Sequence, residues 1–231
     1  MKNIFKALFV SAILMVGCGD DEGSPMSGGG GGGDDGVIAA SADYSLTLEM
    51  NFTEDLFPTD YPANPSFGPI VIITHAPSVS VFALGQLASE GFEAYAEEGD
   101  VGALGAFIST ELGEEGDGLF AISTNTAVGP ESFTNLSATV TPSRTRITVL
   151  ARINPSPDWF VGVNSFDVID GQELVDEAIF SLTPIDAGTD AGMTYNAEDA
   201  EDNLPIANYQ DLPFGEGVFP SLGTLTFSRT N

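Results

Sequence analysis

Tyr44-Ser45-Leu46-Thr47-Leu48-Glu49-Met50-Asn51-Phe52 alternates apolar and polar residues without a break. A period of two is the period of a strand, so this stretch predicts a half-buried strand with Tyr44, Leu46, Leu48, Met50 and Phe52 turned toward a core. Residues 69–74, 80–84, 145–153, 178–182 and 223–229 read as further strands, with Arg146 and Arg152 on a solvent-facing side. Pro58, Pro62, Pro65 and Pro69 hold the first long connection extended. Residues 84–98 read as helix, with Leu87, Phe92 and Tyr95 on a loose apolar face interrupted at Gly91, and residues 101–112 read as a second short helix. Many strands joined by turn chemistry favour an antiparallel sandwich over a parallel α/β sheet. The expected fold class is therefore all-β: an antiparallel β-sandwich with one or two short helices in the connections.

Two segments come before that domain. Lys2 and Lys6 followed by the apolar run 7–16 make residues 1–17 a targeting segment, too short for a permanent transmembrane helix. It ends at Leu14-Met15-Val16-Gly17-Cys18, which resembles a bacterial lipobox, so Cys18 is the expected lipidation site and new N-terminus. More than one acyl chain on Cys18, at about 0.8 kcal/mol per buried methylene, suffices for stable anchoring. Cys18 is the only cysteine, and a disulfide within one chain is excluded. Residues 18–42 carry Asp20, Asp21, Glu22, Asp34 and Asp35 around a run of six glycines. Such a segment lacks apolar surface to bury and predicts a flexible tether about 25 Å in mean span. The globular domain is expected over residues 43–231. Gly19 after the cysteine resembles the outer-membrane sorting pattern, so the expected location is the bacterial cell envelope, at the outer membrane or cell surface.

Charge narrows the partners. Without Lys2 and Lys6 the chain carries 34 acidic residues against Arg144, Arg146, Arg152 and Arg229, about thirty net negative charges. Nucleic-acid binding needs a basic footprint and is excluded, and protein charge alone does not draw the chain to anionic lipid. Most of this acidity serves solubility.

Chemistry is concentrated in Ile185-Asp186-Ala187-Gly188-Thr189-Asp190-Ala191-Gly192 and in Ser156-Pro157-Asp158-Trp159. Three carboxylates drawn to one point repel: at an effective dielectric of ~20 and ~5 Å, each pair costs roughly 3 kcal/mol. A hard divalent cation removes that cost, and oxygen-only ligands select calcium or magnesium. Residue types alone favour a plainer reading, in which the aspartates accept local backbone N–H bonds in turns. No catalytic residue is assigned. His75, the only histidine, reads as a hydrogen-bonded structural residue, a zinc site lacks nitrogen and sulfur ligands, and there is no Gly-x-Ser-x-Gly elbow. Acidic pairs such as Glu114 with Glu115, or Glu201 with Asp202, leave a carboxylate-based hydrolase open as an alternative. Trp159 is read either as a core anchor or as an exposed aromatic at a binding surface.

Those two motifs, with Val175-Asp176-Glu177 and Met193-Thr194-Tyr195, resemble the spondin N-terminal-type domain. So do residues 57–66, Thr74-His75, Leu84-Gly85-Gln86-Leu87-Ala88-Ser89-Glu90-Gly91 and Ala96-Glu97-Glu98-Gly99. Family members occur in extracellular matrix adhesion proteins and in bacterial secreted proteins. The resemblance implies a C2-like sandwich and Ca2+ bound by three aspartates, which match Asp158, Asp186 and Asp190. Ile185 and Phe82 stand where members often have Trp, and the cysteines of the animal domains are absent between the two Asp motifs. The implied function is a non-catalytic calcium-binding adhesion or interaction module, held at the membrane through Cys18, with an extracellular or periplasmic protein or glycan as partner. The alternative is a calcium-dependent phospholipid-binding module.

Overall fold

The structure is a computed structural model that describes residues 41–112, 120–215 and 220–231. The expectations for residues 1–17, for Cys18 and for the acidic glycine-rich tether up to residue 40 lie outside those residues, as does the Glu114–Glu115 pair. The described residues all fall in one compact unit, Asp34–Asn231. Its elements in chain order are β1 (Ala42–Met50), β2 (Ser66–His75), α1 (Glu90–Glu98), α2 (Val101–Leu112), β3 (Phe120–Asn125), β4 (Phe133–Val140) and β5 (Arg146–Asn154). They continue as β6 (Trp159–Asp167), β7 (Ile169–Asp170), β8 (Glu173–Leu174), β9 (Glu177–Leu182), β10 (Ile185–Asp186), β11 (Ala207–Asn208) and β12 (Gly223–Arg229).

Every pairing is antiparallel. One sheet runs β4-β1-β12-β9, a second runs β11-β10-β6-β5-β2-β3, and β7 and β8 form a separate ribbon. In β1 the alternate residues Ala42, Tyr44, Leu46, Leu48 and Met50 are buried, as the period of two requires. They meet Leu225 and Phe227 of β12 beside them and Ile70, Ile72, Val149 and Val161 across the sandwich, in one core. The fold is the expected all-β antiparallel sandwich, and its described helices lie in the connection between β2 and β3.

Those helices make the larger sheet unlike the smaller one. Val71, Ile73, Leu150 and Phe160 point away from the sandwich into a second core, closed by Phe92, Tyr95, Leu104 and Ile108 of α1 and α2. Gly91 is required there by close approach: a Cβ on it would lie 2.4 Å from the Cβ of Phe107 on α2. The glycine read as a helix interruption is thus the contact point between the two helices.

Three expectations are corrected. Residues 80–84 form no strand. Val81 and Phe82 are buried in the second core, and the Phe82 carbonyl accepts from Asn164 Nδ2 at 2.7 Å instead of joining a ladder. Residues 84–89 are not helical: α1 begins at Glu90 behind Ser89, whose hydroxyl accepts from the Phe92 N–H at 3.2 Å as an N-cap. Leu87 lies outside the helix, bridged to Pro205 and exposed, whereas Phe92 and Tyr95 are buried as read. Arg152 does not face solvent. Its neighbours on the outer face of β5 are covered by α1, and Nε donates to the Ala96 carbonyl at 2.6 Å. Sequence periodicity separates two faces of a strand, but it does not reveal when both are covered.

Candidate metal centre

The Ser156 turn delivers Asp158 into the protein. Ser156 Oγ donates to the Ile153 carbonyl at 2.7 Å and accepts from the Trp159 N–H at 3.1 Å, closing the bend between β5 and β6. Trp159 then anchors the start of β6: it is fully buried, with ring centroids 4.7 Å from Tyr209, 5.2 Å from Phe214 and 5.6 Å from Tyr195. The core reading of the tryptophan holds. β10 pairs alongside, with Asp186 opposite Trp159 and Ile185 opposite Phe160. The chain after β10 must therefore cross directly over Asp158.

That crossing is built from two short turns in series. Asp186 Oδ1 accepts from the Gly188 N–H at 2.7 Å, and Asp190 Oδ1 accepts from the Gly192 N–H at 2.7 Å. Gly188 adopts φ +73, and a Cβ there would sit 2.2 Å from the Leu204 carbonyl oxygen, so only glycine fits this bend. Between the two turns, the Thr189 N–H, the Thr189 hydroxyl and the Asp190 N–H all donate to Asp158 Oδ2, at 2.8, 3.3 and 3.2 Å. The spacing of four between Asp186 and Asp190 is thus two Asx turns with a carboxylate clamp between them.

Turn chemistry uses one oxygen of each carboxylate and leaves the other. Asp158 is 0 % exposed, and its Oδ1 is buried with no hydrogen-bond partner. An ionised oxygen left this way is costly, since a buried unpartnered acceptor loses the full solvation of the group. Burial pushes the Asp158 carboxyl up to about 7, the Asp186 carboxylate adds to the rise, and the N–H bonds from Thr189 and Asp190 oppose it. Asp186 is likewise raised, chiefly by burial and further by Asp202 and Asp190, against the bond from Gly188. The two side chains are close enough for a proton to bridge them. Only Asp158 and Asp186 interact in this way. Asp190 lies on the same loop but is turned toward Gly192, and as the side chains stand no set of three His, Cys, Asp or Glu among the described residues is arranged to hold an ion.

Several contributors were not legible in the sequence. Arg152 donates from Nε to the Ala96 carbonyl, from Nη2 to the Ser156 carbonyl at 3.0 Å and from Nη1 to Asn154 Oδ1, tying the end of α1 to the Asp158 turn. Its positive charge also lies within range of Asp158 and Glu97. Glu97 on α1 reaches the Thr189 side chain, and burial raises its carboxyl. Asp202 comes alongside because its N–H donates to the Thr189 carbonyl at 2.7 Å. A surplus of acidic residues in every loop hid Glu97 and Asp202, and the alternation of β5 misassigned Arg152. His75 takes no part: it is fully buried, with Nδ1 3.0 Å from the Ala76 carbonyl and Nε2 2.9 Å from the Thr148 hydroxyl.

The oxygens at this end fit a hard cation by type. Asp158 Oδ1 receives no N–H or hydroxyl donor, Asp186 faces it closely enough to share a proton, and the second oxygen of Asp190 receives no donor among the described residues.

A family model described as Spondin_N matches residues 42–210, which takes in β1 through β11 and all three aspartates. Spondin-2 of Homo sapiens is 33% identical over 163 residues, covering 68% of this chain and 49% of that protein. Spondin-2 of Rattus norvegicus is 29% identical over 199 residues, covering 84% of this chain and 58% of that protein. Spondin-1 of Homo sapiens is 30% identical over 167 residues, which is 68% of this chain and 20% of that protein. The chain thus spans about half the length of the Spondin-2 relatives and a fifth of Spondin-1. With a match over most of its length and a sandwich that seats the matched motifs at one end, the chain belongs to the spondin N-terminal domain family.

Proposed function

We propose that this protein is a non-catalytic, calcium-stabilised adhesion or interaction module, displayed at the bacterial cell envelope through a lipid anchor on Cys18. The observation that carries the metal part is the orphaned Oδ1 of a fully buried Asp158, facing the raised carboxyl of Asp186. Asp158, Asp186 and Asp190 would be the side-chain ligands. Calcium takes six to eight oxygens, so loop carbonyls and water complete the set. When bound, the ion supplies the positive charge that lets both carboxylates ionise in a buried position. The residues themselves hold the loops: Oδ2 of Asp158 fixes the Thr189–Asp190 segment, and Arg152 fixes the approach to Asp158. A fully buried Asp158 covered by Thr189 offers no access to a substrate, which supports a structural rather than a hydrolytic role for the pair. The lipobox-like sequence before Cys18 motivates the anchor. The family and its occurrence in adhesion proteins motivate the interaction role.

Thermal unfolding with calcium and with chelator tests the metal. At a hundredfold excess over the dissociation constant, calcium is expected to add about 2.7 kcal/mol, a rise of roughly 5–10 °C for a domain of this size. Equal midpoints would remove calcium from the account.

A second reading, calcium-dependent binding to phospholipid, has one observation behind it. Leu84, Leu87 and Leu204 are 52%, 54% and 57% exposed and belong to segments joined beside the loop, through the Leu87–Pro205 bridge and the Leu204 N–H to Gly188 carbonyl bond of 2.8 Å. Co-sedimentation with phosphatidylserine vesicles in calcium, lost on Leu87→Ser, is the result that reading expects. Protein left in the supernatant with and without calcium decides for the first reading.

A further inference from the structure

Far from the aspartate loop, a cleft of about 260 Å³ opens between the two sheets, with β2 and the edge strand β3 on one side and the edge strand β4 on the other. On its β2–β3 wall, Ile72 stands opposite Ser123 and Thr74 opposite Ala121. On the other side β4 contributes Ser137, Ala138 and Thr139, and the turn from β4 to β5 brings in Arg144. The floor is therefore apolar, at Ile72 and Ala138, and the rim carries the hydroxyls of Thr74 and Ser123 and one guanidinium, while the side chains of Ser137 and Thr139 alternate with Ala138 and turn to the outer face of β4.

Arg144 is oddly placed in so acidic a chain. Arg146 pairs with Asp167 at 3.0 Å, Arg229 pairs with Asp176, and Arg152 uses its donors on three oxygens. Arg144 pairs with no carboxylate among the described residues: it makes one long contact, from Nη1 to the Phe120 carbonyl at 3.5 Å, and its Nε, like that of Arg146, is buried with no partner. A guanidinium has five N–H donors, and a buried one without an acceptor loses solvation with no return. Among the described residues no carboxylate lines the cleft, and Asp43, which pairs with Thr139 on the outer face, is engaged: its Oδ1 accepts from the Thr139 hydroxyl at 2.6 Å and Oδ2 from Asn231 Nδ2 at 2.8 Å. The cleft is thus a donor site held open amid 34 acidic side chains.

We infer that this cleft is a binding site for a singly charged, carboxylate-bearing sugar unit, a hexuronate. Each part of the lining meets one part of such a ligand. Arg144 takes the carboxylate through a two-pronged contact, the favoured geometry for that pair. Thr74 and Ser123 exchange hydrogen bonds with ring hydroxyls. The apolar floor takes the C–H face of the ring. The volume falls below that of clefts for drug-sized ligands, which begin near 300 Å³, and suits one sugar ring. The charge of the chain sets the ligand charge as well, since a polyanion such as a phosphorylated or sulfated chain meets more repulsion than one carboxylate does. Naming an acidic glycan deepens the interaction role proposed above, but the site shares no residue with the aspartate loop.

Saturation-transfer NMR of the full chain with D-glucuronate tests this. The expected result is saturable binding with Kd on the order of 1 mM. Arg144→Gln should weaken it at least tenfold and Arg144→Lys by a smaller factor. Glucose and acetate should each bind at least tenfold more weakly, as each offers half of the recognised chemistry. No saturable binding in the millimolar range, binding unchanged in Arg144→Gln, or acetate binding as tightly as glucuronate would each overturn the inference. The calcium-induced rise in midpoint should persist in Arg144→Gln, which shows the variant is folded and separates failure here from failure of the metal reading.

Discussion

Asp158→Asn raises the unfolding midpoint of the chelated protein and abolishes its response to calcium. The asparagine oxygen still accepts from the Thr189 and Asp190 N–H groups that Asp158 Oδ2 holds at 2.8 and 3.2 Å. Its amide takes the place of the orphaned Oδ1 and faces Asp186 as a donor. What disappears is a buried negative charge. A carboxyl pushed from 3.8 up to about 7 stores on the order of 4 kcal/mol against ionisation at neutral pH, shared across the pair. Recovering half of that raises the midpoint by roughly 4–8 °C in a domain this long. A variant that gains stability without metal and loses it relative to wild type with metal is the signature of a site whose charges await a cation. If Asp158 served only to close a turn, the substitution would be neutral or destabilising and would leave calcium without effect in both proteins.

The second large effect is in pH. Asp158 and Asp186 have folded-state values raised above their unfolded ones, Asp158 to about 7 from 3.8. A raised carboxyl binds its proton more tightly in the folded chain, so its contribution is full below about 4 and lost as pH rises through about 7. The chelated protein should therefore weaken between pH 5 and pH 8. Calcium replaces the proton, so its stabilisation should be small at pH 5 and largest above pH 7. His75 works in the other direction: burial lowers its value below 6.5, so its contribution is present above 6.5 and declines as pH falls. Subtracting the chelator curve from the calcium curve cancels His75 and leaves the aspartates. A difference that is flat from pH 5 to pH 8 contradicts their role.

The fold was legible where one face of a strand alone meets the core. β1 and β12 alternate cleanly because the outer face of the smaller sheet is open: Thr224, Thr226 and Ser228 are half-exposed beside buried Leu225 and Phe227. The larger sheet hid more. β6 begins with three buried residues in succession, Trp159, Phe160 and Val161, because α1 covers one face and the sandwich the other. β3 and β4 are edge strands with weak apolar content, so their sequences do not stand out as strands. Within the candidate site, the two Asp motifs stood out through their glycines, since Gly188 and Gly192 are the N–H donors of the two turns. Arg152, Glu97 and Asp202 reach the site through pairings distant in sequence, which no local spacing encodes. The same holds for Arg144, whose isolation is visible only once the partners of the other arginines are known.

Anomalous diffraction from crystals grown in calcium addresses the central claim most directly. One peak is expected between Asp158 Oδ1 and Asp186, with Asp190 rotated to join and oxygen distances of about 2.3–2.6 Å. Density that shows Asp158 Oδ1 bound only to a proton shared with Asp186, with no peak at this end of the sandwich in saturating calcium, contradicts it.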